Sequence, residues 1–215
     1  MEATTSNAFA DLAARAARLG VSTLFEAAGK RGLIDLDLIA HLPDVCVAGR
    51  ARPVMCGQDD NLMVPAAIAH AEPGDVLVFR MPEARPVSLV GELLATQCVA
   101  RGVVGVLADA AIRDAAAIRA LGLPVWSRYV RARSCSKKIV GTLDVTFELG
   151  GAAVAFGDLI VLDGDGALVI SGAEAERVVA DGEARDAAEQ MKRERYKAGE
   201  LSYDLDGLRA IVEGV

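Results

Sequence analysis

The sequence predicts a mixed α/β fold, and three observations predict it. The middle of the chain alternates short apolar runs with amphipathic stretches at helical spacing. The next segment consists of β-rich runs cut by glycine and aspartate pairs, and both ends read as helical.

Each element has its own signal. Near the N-terminus Asn7 is the expected helix cap, and Phe9, Leu12, Ala13, Ala16 and Leu19 recur at helical spacing before Gly20 stops the run. A second helix opens at Ser22 or Thr23 and ends at Gly29, so residues 1–30 form an N-terminal helical region. Val45 to Cys56 reads as a strand and residues 62–71 as a short helix. Pro73-Gly74-Asp75 makes a turn into a buried strand, Val76 to Phe79. Gly91 opens a helix through Arg101, with Leu94, Cys98 and Val99 on one face, and Gly102 ends it. Val103 to Ala108 is a continuous apolar run, the pattern of a strand covered on both faces. A loop at Asp109-Ala110 is expected to lead into a helix from Ile112 to Leu121, and Pro124 to Trp126 makes a short strand. This order predicts βαβ units with right-handed crossovers.

From Ile139 to Ser171, Gly150-Gly151, Gly157-Asp158 and Asp163-Gly164-Asp165-Gly166 separate the strands of an antiparallel hairpin set. Residues 173–215 form a charged helical extension, broken at Gly199 before a last short helix near Asp204 to Val212. No repeat, low-complexity segment or linker divides the chain, so 1–215 is expected to be one domain.

Composition narrows the chemistry. A net charge of −7 disfavours nonspecific nucleic-acid binding, which depends on neutralising phosphates, and disfavours an anionic membrane surface. The longest uncharged run, Asn61 to Ala71, is too short to span a bilayer and contains Pro65. The start, Met1-Glu2-Ala3, lacks a secretory pattern, so a cytoplasmic location is expected. Cys46, Cys56, Cys98 and Cys135 show no Cys-x-x-Cys spacing and read as small hydrophobes. With only His41 and His70 available, a bound metal must rely on oxygen ligands, which points to Mg²⁺ or Mn²⁺ rather than Zn²⁺.

Three places can hold chemistry. Gly91-Glu92-Leu93-Leu94 sits at a helix start, where free N–H groups bind carboxylate or phosphate; the same glycine also serves a plain loop-to-helix turn. Arg113-Asp114 follows a buried strand, where α/β sheets gather ligands. The pair reads either as a surface ion pair or as a division of labour. In the second reading Asp114 holds a divalent cation and Arg113 an anionic oxygen, with Asp109 behind them or simply in the loop. Arg128, Arg131, Arg133, Lys137 and Lys138 form an anion pocket or a solvated loop. The Asp163 to Gly166 run lacks the remaining ligands of a calcium loop and reads as a hairpin turn.

Taken together, three stretches resemble the 4-hydroxy-4-methyl-2-oxoglutarate / 4-carboxy-4-hydroxy-2-oxoadipate aldolase family, which shares its fold with the regulator of ribonuclease activity A. They are Gly91-Glu92-Leu93-Leu94-Ala95-Thr96, Arg101-Gly102-Val103-x-Gly105-Val106 and Asp109-x-x-x-Arg113-Asp114. Asp60-Asn61-Leu62-Met63, Pro73-Gly74-Asp75-Val76 and Gly157-Asp158-Leu159-Ile160-Val161 extend the resemblance, and Gly199-Glu200-Leu201-x-x-Asp204 resembles the aldolase branch.

The resemblance implies a β/β/α swivelling-type fold and a class II, divalent-metal-dependent pyruvate aldolase. Its active sites would lie between subunits of a homotrimer or hexamer. By motif, Asp114 would ligate Mg²⁺ or Mn²⁺ directly and Glu92 would act through metal-bound water. Arg113 would steady the developing enolate, and the backbone N–H groups of Gly91, Glu92, Leu93 and Leu94 would hold the pyruvyl carboxylate. A neighbouring subunit would supply an acidic residue, Glu189 or else Glu194. The expected reaction cleaves a 4-hydroxy-2-oxo di- or tricarboxylic acid to pyruvate, with oxaloacetate decarboxylation from the same enolate. The alternative is a non-catalytic trimeric regulator that docks on a ribonuclease or another protein. A menaquinone methyltransferase finds no support, because no glycine-rich strand-to-helix loop suits a methyl-donor nucleotide. Ala110 stands where the family has Gly, Phe156 where it has Pro, and Ser134-Cys135-Ser136 departs from a Thr-rich pattern. Ala110 is expected in the loop beside Arg113, where its methyl group would narrow the pocket or alter the loop.

Overall fold

A computed structural model describes residues 2–214, and side chains from Asn7 to Gly214; Met1 and Val215 lie outside the described residues. The chain opens with α1 (Glu2–Ala27), which carries one break. At Gly20 the backbone adopts φ 77°, a conformation that other residues reach only with strain. The restarted helix is held by the hairpin turn predicted from Asp163 to Gly166: Asp163 Oδ2 accepts the Val21 N–H at 2.8 Å, and Ser22 Oγ donates to Asp165 at 2.7 Å. Because the helix begins at Glu2, Asn7 is an interior residue and not the cap expected for it.

The elements that follow are β1 (Ile39–Ala40), β2 (Val47–Met55), α2 (Met63–His70), β3 (Asp75–Arg80), β4 (Ser88–Val90) and α3 (Glu92–Ala100). Then come β5 (Gly105–Ile112), α4 (Ala115–Leu121), β6 (Val125–Val130), β7 (Thr142–Leu143), β8 (Phe147–Leu149) and β9 (Ala152–Val154). The last are β10 (Leu159–Asp163), β11 (Gly166–Ile170), α5 (Ala175–Lys197), α6 (Ser202–Leu205) and α7 (Leu208–Glu213). The main sheet has the order β1-β6-β5-β3-β2-β10-β11, with β4 beside β5 and β7 beside β2. Its centre, β2-β3-β5-β6, is parallel, as expected of βαβ units, while β10 joins β2 antiparallel and forms a hairpin with β11.

Two faces of this sheet are covered differently. Val54, Leu77, Phe79, Val106, Ala108 and Ile112 face α2, α3 and α4, meeting Ala67, Ala95, Cys98 and Ile118. Val76, Val78, Leu107 and Trp126 face the β8–β9 hairpin through Phe147, Leu149 and Val154. The result is a β/β/α layering built from small and aliphatic side chains. Outside it, α1 and the first half of α5 cover Leu159, Val161, Leu168 and Ile170 of the β10–β11 hairpin.

The structure corrects the middle of the chain. Strand β5 continues through Asp109-Ala110 to Ile112, and α4 begins only at Ala115. The added residues gain strand partners on both sides: Ala111 lies opposite Ser88 of β4 and Tyr129 of β6. Ala110 is therefore fully buried in the helix-side core, at a register shift between Ala108 and Ala111, and not in a loop beside Arg113. Asp109 points to the opposite face, where Arg128 Nη1 lies 3.4 Å from its carboxylate. Burial pushes the Asp109 carboxyl up, against the pull of Arg128 and Arg80. Phe156 packs beneath the guanidinium of Arg52, 4.7 Å from its ring centre. Arg52 and Arg50 both donate to the buried Asp75, at 2.9 and 2.7 Å.

In α5 only Ala175, Val178, Val179 and Gly182 are buried. Gly182 lets the helix approach α1, since a Cβ there would lie 3.0 Å from Leu19 and 3.1 Å from Leu24. Arg15 clamps the same point through Nε and Nη2 on Glu183, at 2.9 and 2.8 Å. Beyond it α5, α6 and α7 contribute no buried residue, and the expected final helix is two short ones separated at Asp206-Gly207. Among the described residues, no helix is long and apolar enough to cross a membrane.

Candidate active site

The parallel strands β4 and β5 both end at one cleft. Gly91 and α3 follow β4 directly, and Arg113-Asp114 follows β5. A hydrogen bond from the Arg113 N–H to Val90 O, at 3.0 Å, ties the two exits together. The cleft has a volume of about 390 Å³. Its walls carry Gly91, Glu92, Arg113, Asp114, Asn61 and Lys137, along with Leu93, Leu94 and Cys135.

Asp114 adopts φ 57° and ψ 34°, a left-handed conformation that aspartate tolerates better than most residues. At this position its side chain does not cap its own helix. Instead Oδ2 lies 3.3 Å from the Glu92 N–H at the start of α3 and 3.5 Å from Arg113 Nε. Half-exposed Arg113 and Asp114 thus meet over the positive end of α3. Gly91 permits the approach: a Cβ there would sit 2.9 Å from both Arg113 Nε and Asp114 Oδ2. Its φ is −128°, so the need is for space and not for an unusual backbone.

Not every expected N–H group is open. The Glu92 N–H faces Asp114, and the Leu94 N–H is spent on Gly91 O at 3.1 Å. The Leu93 N–H has no partner among the described residues, as is normal in the first turn of a helix. Glu92 directs its carboxylate along the helix, where Thr96 Oγ1 donates to Oε1 at 3.0 Å.

Glu189 lies elsewhere in this chain, on the exposed second half of α5, paired with Arg185 at 2.9 Å; Glu194 pairs with Lys197 at 2.8 Å. Neither lines the cleft. His41 is buried against Ser127 Oγ at 2.9 Å, and His70 sits in the last turn of α2, so no histidine lines the cleft either. Of the basic stretch only Lys137 lines it; Arg128 pairs with Asp109.

Two features, one behind the cleft and one in its wall, have little sequence signal. Asp60 is fully buried and accepts hydrogen bonds from Ser136 Oγ, from the Lys138 N–H at 2.6 Å and from the Leu62 N–H at 2.8 Å. Burial alone would raise its carboxyl; these bonds hold it below the usual carboxylate range. The bonds fasten the loop carrying Ser134, Cys135 and Lys137 to the loop before α2. Asn61, beside it, donates from Nδ2 to Leu89 O at 2.8 Å. Its Oδ1 is buried without a hydrogen-bond partner, alone in this among the buried side-chain atoms of the described residues.

The donor set bears on metal binding. Among the described residues no three His, Cys, Asp or Glu side chains form a closed cage. Two carboxylates, Asp114 and Glu92, open on the cleft. That set fits Mg²⁺ or Mn²⁺, which keep several waters and take one or two carboxylates plus ligand oxygens.

Comparison with known proteins decides the family. The RraA-like family model, described as Aldolase/RraA, matches residues 11–169. The chain belongs to this family. An Aldolase/RraA relative from Halalkalibacterium halodurans, provisionally named a 4-hydroxy-4-methyl-2-oxoglutarate aldolase, is 35% identical over 149 residues, covering 66% of this chain and 71% of that one. The crystal structure of Streptomyces coelicolor RraAS2 is described as an unusual member of the RNase ES inhibitor RraA family. It superposes with a TM-score of 0.77 at 27% identity, over 86% of this chain and 98% of the other. A Geobacillus kaustophilus structure described as an S-adenosylmethionine:2-dimethylmenaquinone methyltransferase is 29% identical, with a TM-score of 0.61 over 65% and 86% of the two chains. The family thus contains proteins named for catalysis and proteins named for inhibition of an RNase. The matched span ends inside β11, so α5 to α7 lie beyond it.

Proposed function

We propose that this chain is a divalent-metal-dependent pyruvate aldolase acting, as one domain, on a 4-hydroxy-2-oxo di- or tricarboxylic acid. 4-Hydroxy-4-methyl-2-oxoglutarate and 4-carboxy-4-hydroxy-2-oxoadipate are the leading substrates. The observation that supports this reading is the convergence of Arg113, Asp114 and Glu92 on one cleft at the open N-terminus of α3. The name of the 35% identical relative agrees with it.

In this reading Asp114 would hold Mg²⁺ or Mn²⁺ directly and Glu92 would hold it through water. Once bound, the cation supplies Lewis-acid stabilisation of negative charge on the 2-oxo oxygen. The chain's own groups do the rest. The Leu93 N–H and the dipole of α3 receive the pyruvyl carboxylate. Arg113 faces the 2-oxo oxygen and stabilises it as charge develops. The C4 hydroxyl gives its proton through a cleft water to Glu92, and the C3–C4 bond breaks. The bonding pair passes to the pyruvate enolate while C4 becomes a carbonyl; a proton then returns to C3. Oxaloacetate loses CO₂ through the same enolate and needs no hydroxyl proton transfer. A homotrimer or hexamer would bring Glu189 or Glu194 of one subunit to the cleft of another.

The test is pyruvate release from these substrates, coupled to lactate dehydrogenase, with Mg²⁺ and then with EDTA. The reading expects metal-dependent release that Asp114→Ala abolishes. A folded, metal-supplied chain that releases no pyruvate from any of them, oxaloacetate included, overturns it in favour of a binding role like that of the RNase inhibitors.

A further inference from the structure

We infer that Lys137 takes the carboxylate on C4 of the substrate, and so makes the cleft selective for 4-hydroxy-2-oxo acids that carry a second carboxylate. The inference rests on the proposed aldolase reading and deepens it to a residue and a substrate feature.

Four ionic side chains line the cleft: Glu92, Asp114, Arg113 and Lys137. In the proposed reading the two acids serve the cation, and Arg113 serves the 2-oxo oxygen at the start of α3. Arg113 also lies 3.5 Å from Asp114. Lys137 is exposed, makes no ion pair among the described residues, and is the one charged wall residue left without a role. Burial pushes the Cys135 thiol up, and Arg113 and Lys137 both pull against that rise, so the two cations bear on one stretch of the cleft wall.

The backbone beneath Lys137 is fastened to an unusual degree for an exposed loop. Its neighbours on both sides are tied to the fully buried Asp60: Ser136 Oγ and the Lys138 N–H donate to the same carboxylate oxygen, the second at 2.6 Å. The Ser136 N–H donates to Asp59 O at 3.0 Å, and Ser136 O accepts the Asn61 N–H at 2.9 Å. Earlier in the loop Arg133 O accepts the Ser88 N–H at 2.8 Å, and the Cys135 thiol donates to Ser88 O at 3.0 Å. Bonds to an ionised, buried carboxylate are among the strong ones, so the Cα of Lys137 keeps a set place on the wall. Less freedom is then lost when its side chain engages a ligand. An ammonium is a compact point charge, suited to a single carboxylate. The C1 carboxylate of the substrate is received at α3, so the carboxylate on C4, beyond the bond that breaks, is the anion left for Lys137. It stays with the departing oxo acid, and the contact exists both before and during cleavage.

The test uses a matched pair: 4-hydroxy-4-methyl-2-oxoglutarate, and 4-hydroxy-4-methyl-2-oxopentanoate, in which a methyl group replaces the carboxylate on C4. Values of kcat and KM for pyruvate release are measured for both in Mg²⁺-loaded wild type, Lys137→Met and Lys137→Arg. Wild type is expected to favour the dicarboxylate. Lys137→Met keeps an unbranched stem without the charge, and is expected to reduce that preference about tenfold, through KM rather than kcat. Lys137→Arg keeps the charge and most of the preference. A purely structural residue affects both substrates alike and leaves their ratio unchanged. That result overturns the inference, as does a wild type without preference or a Lys137→Arg enzyme no more selective than Lys137→Met. Where the methyl analogue turns over too slowly to measure, competition by each compound against oxaloacetate decarboxylation gives the same ratio. A wild type that decarboxylates oxaloacetate but neither cleaves nor binds the dicarboxylate overturns the inference alone. One that does none of these removes the aldolase reading and this inference with it.

Discussion

Gly91→Ala isolates the geometry of the site from the stability of the fold. The added Cβ would lie 2.9 Å from Arg113 Nε, 2.9 Å from Asp114 Oδ2 and 3.2 Å from Arg113 Cγ. Relief to ordinary contact requires the two side chains to retreat by about 0.5 Å or more, given carbon contacts near 3.5 Å. Misplacement of a reacting group by about 1 Å costs about 100-fold in rate, so half that distance predicts a loss of about tenfold in kcat/KM. Stability behaves differently. The backbone at φ −128° suits alanine, and the entropy lost by the unfolded chain favours it by about 0.4–1 kcal/mol. Loss of glycine's advantage at a helix cap opposes this by a similar amount, so the melting temperature is expected within about 3 °C of wild type. Paired thermal melts and coupled pyruvate assays measure both quantities. Activity within twofold of wild type at an unchanged melting temperature would refute the claim that close approach of Arg113 and Asp114 sets the rate.

Three further outcomes follow from the same structure. Arg113→Lys keeps the charge but loses the planar fork and Nε, and is expected to lower kcat/KM for pyruvate release about 10- to 100-fold. Asp75→Asn leaves Arg50 and Arg52 without their shared buried carboxylate, and is expected to cost about 3–5 kcal/mol, read as a fall of about 10 °C in melting temperature. Asp60 contributes stability through a carboxyl held below its unfolded value, so the contribution is present above about pH 4 and drains as pH falls through the folded value. Melts between pH 3 and pH 7 are expected to show Asp60→Asn less stable than wild type at neutral pH, with the gap closing in acid.

The sequence makes the parallel core legible because its signals are local. Val76 to Phe79 and Val103 to Ala108 are apolar throughout, and Gly91 and Gly102 bound the helix that precedes the second of them. The Asp163 to Gly166 turn is equally direct. Asp109 and Ala110 read as a loop in sequence because the continuation of β5 rests on distant partners: Arg80 of β3 lies opposite Asp109, and β4, three residues long and marked by no periodicity, pairs with Ala111 and Ile112. The same holds for Asp114: its motif is visible, but the left-handed backbone that turns its carboxylate onto α3 follows from the packed exits of two strands. Asn61 sits inside a recognised stretch, yet the missing partner of its Oδ1 shows only in three-dimensional accounting. Phe156 reads as a departure at a turn and proves to be the platform for a buried guanidinium.

The point where Gly182 seats on α1 divides the long helix into two regimes of mutational constraint. On one side Ala175, Val178, Val179 and Gly182 are buried, Arg15 clamps Glu183, and a single methyl group at Gly182 is felt by Leu19 and Leu24. On the other, about 15 residues of helix, some 22 Å at 1.5 Å per residue, project with no side chain in the core. Substitutions there cost the fold almost nothing. That stretch is free to diverge at a pace set only by whatever its outer surface meets, and sequence change among relatives should pile up after residue 183 while the strand exits stay still.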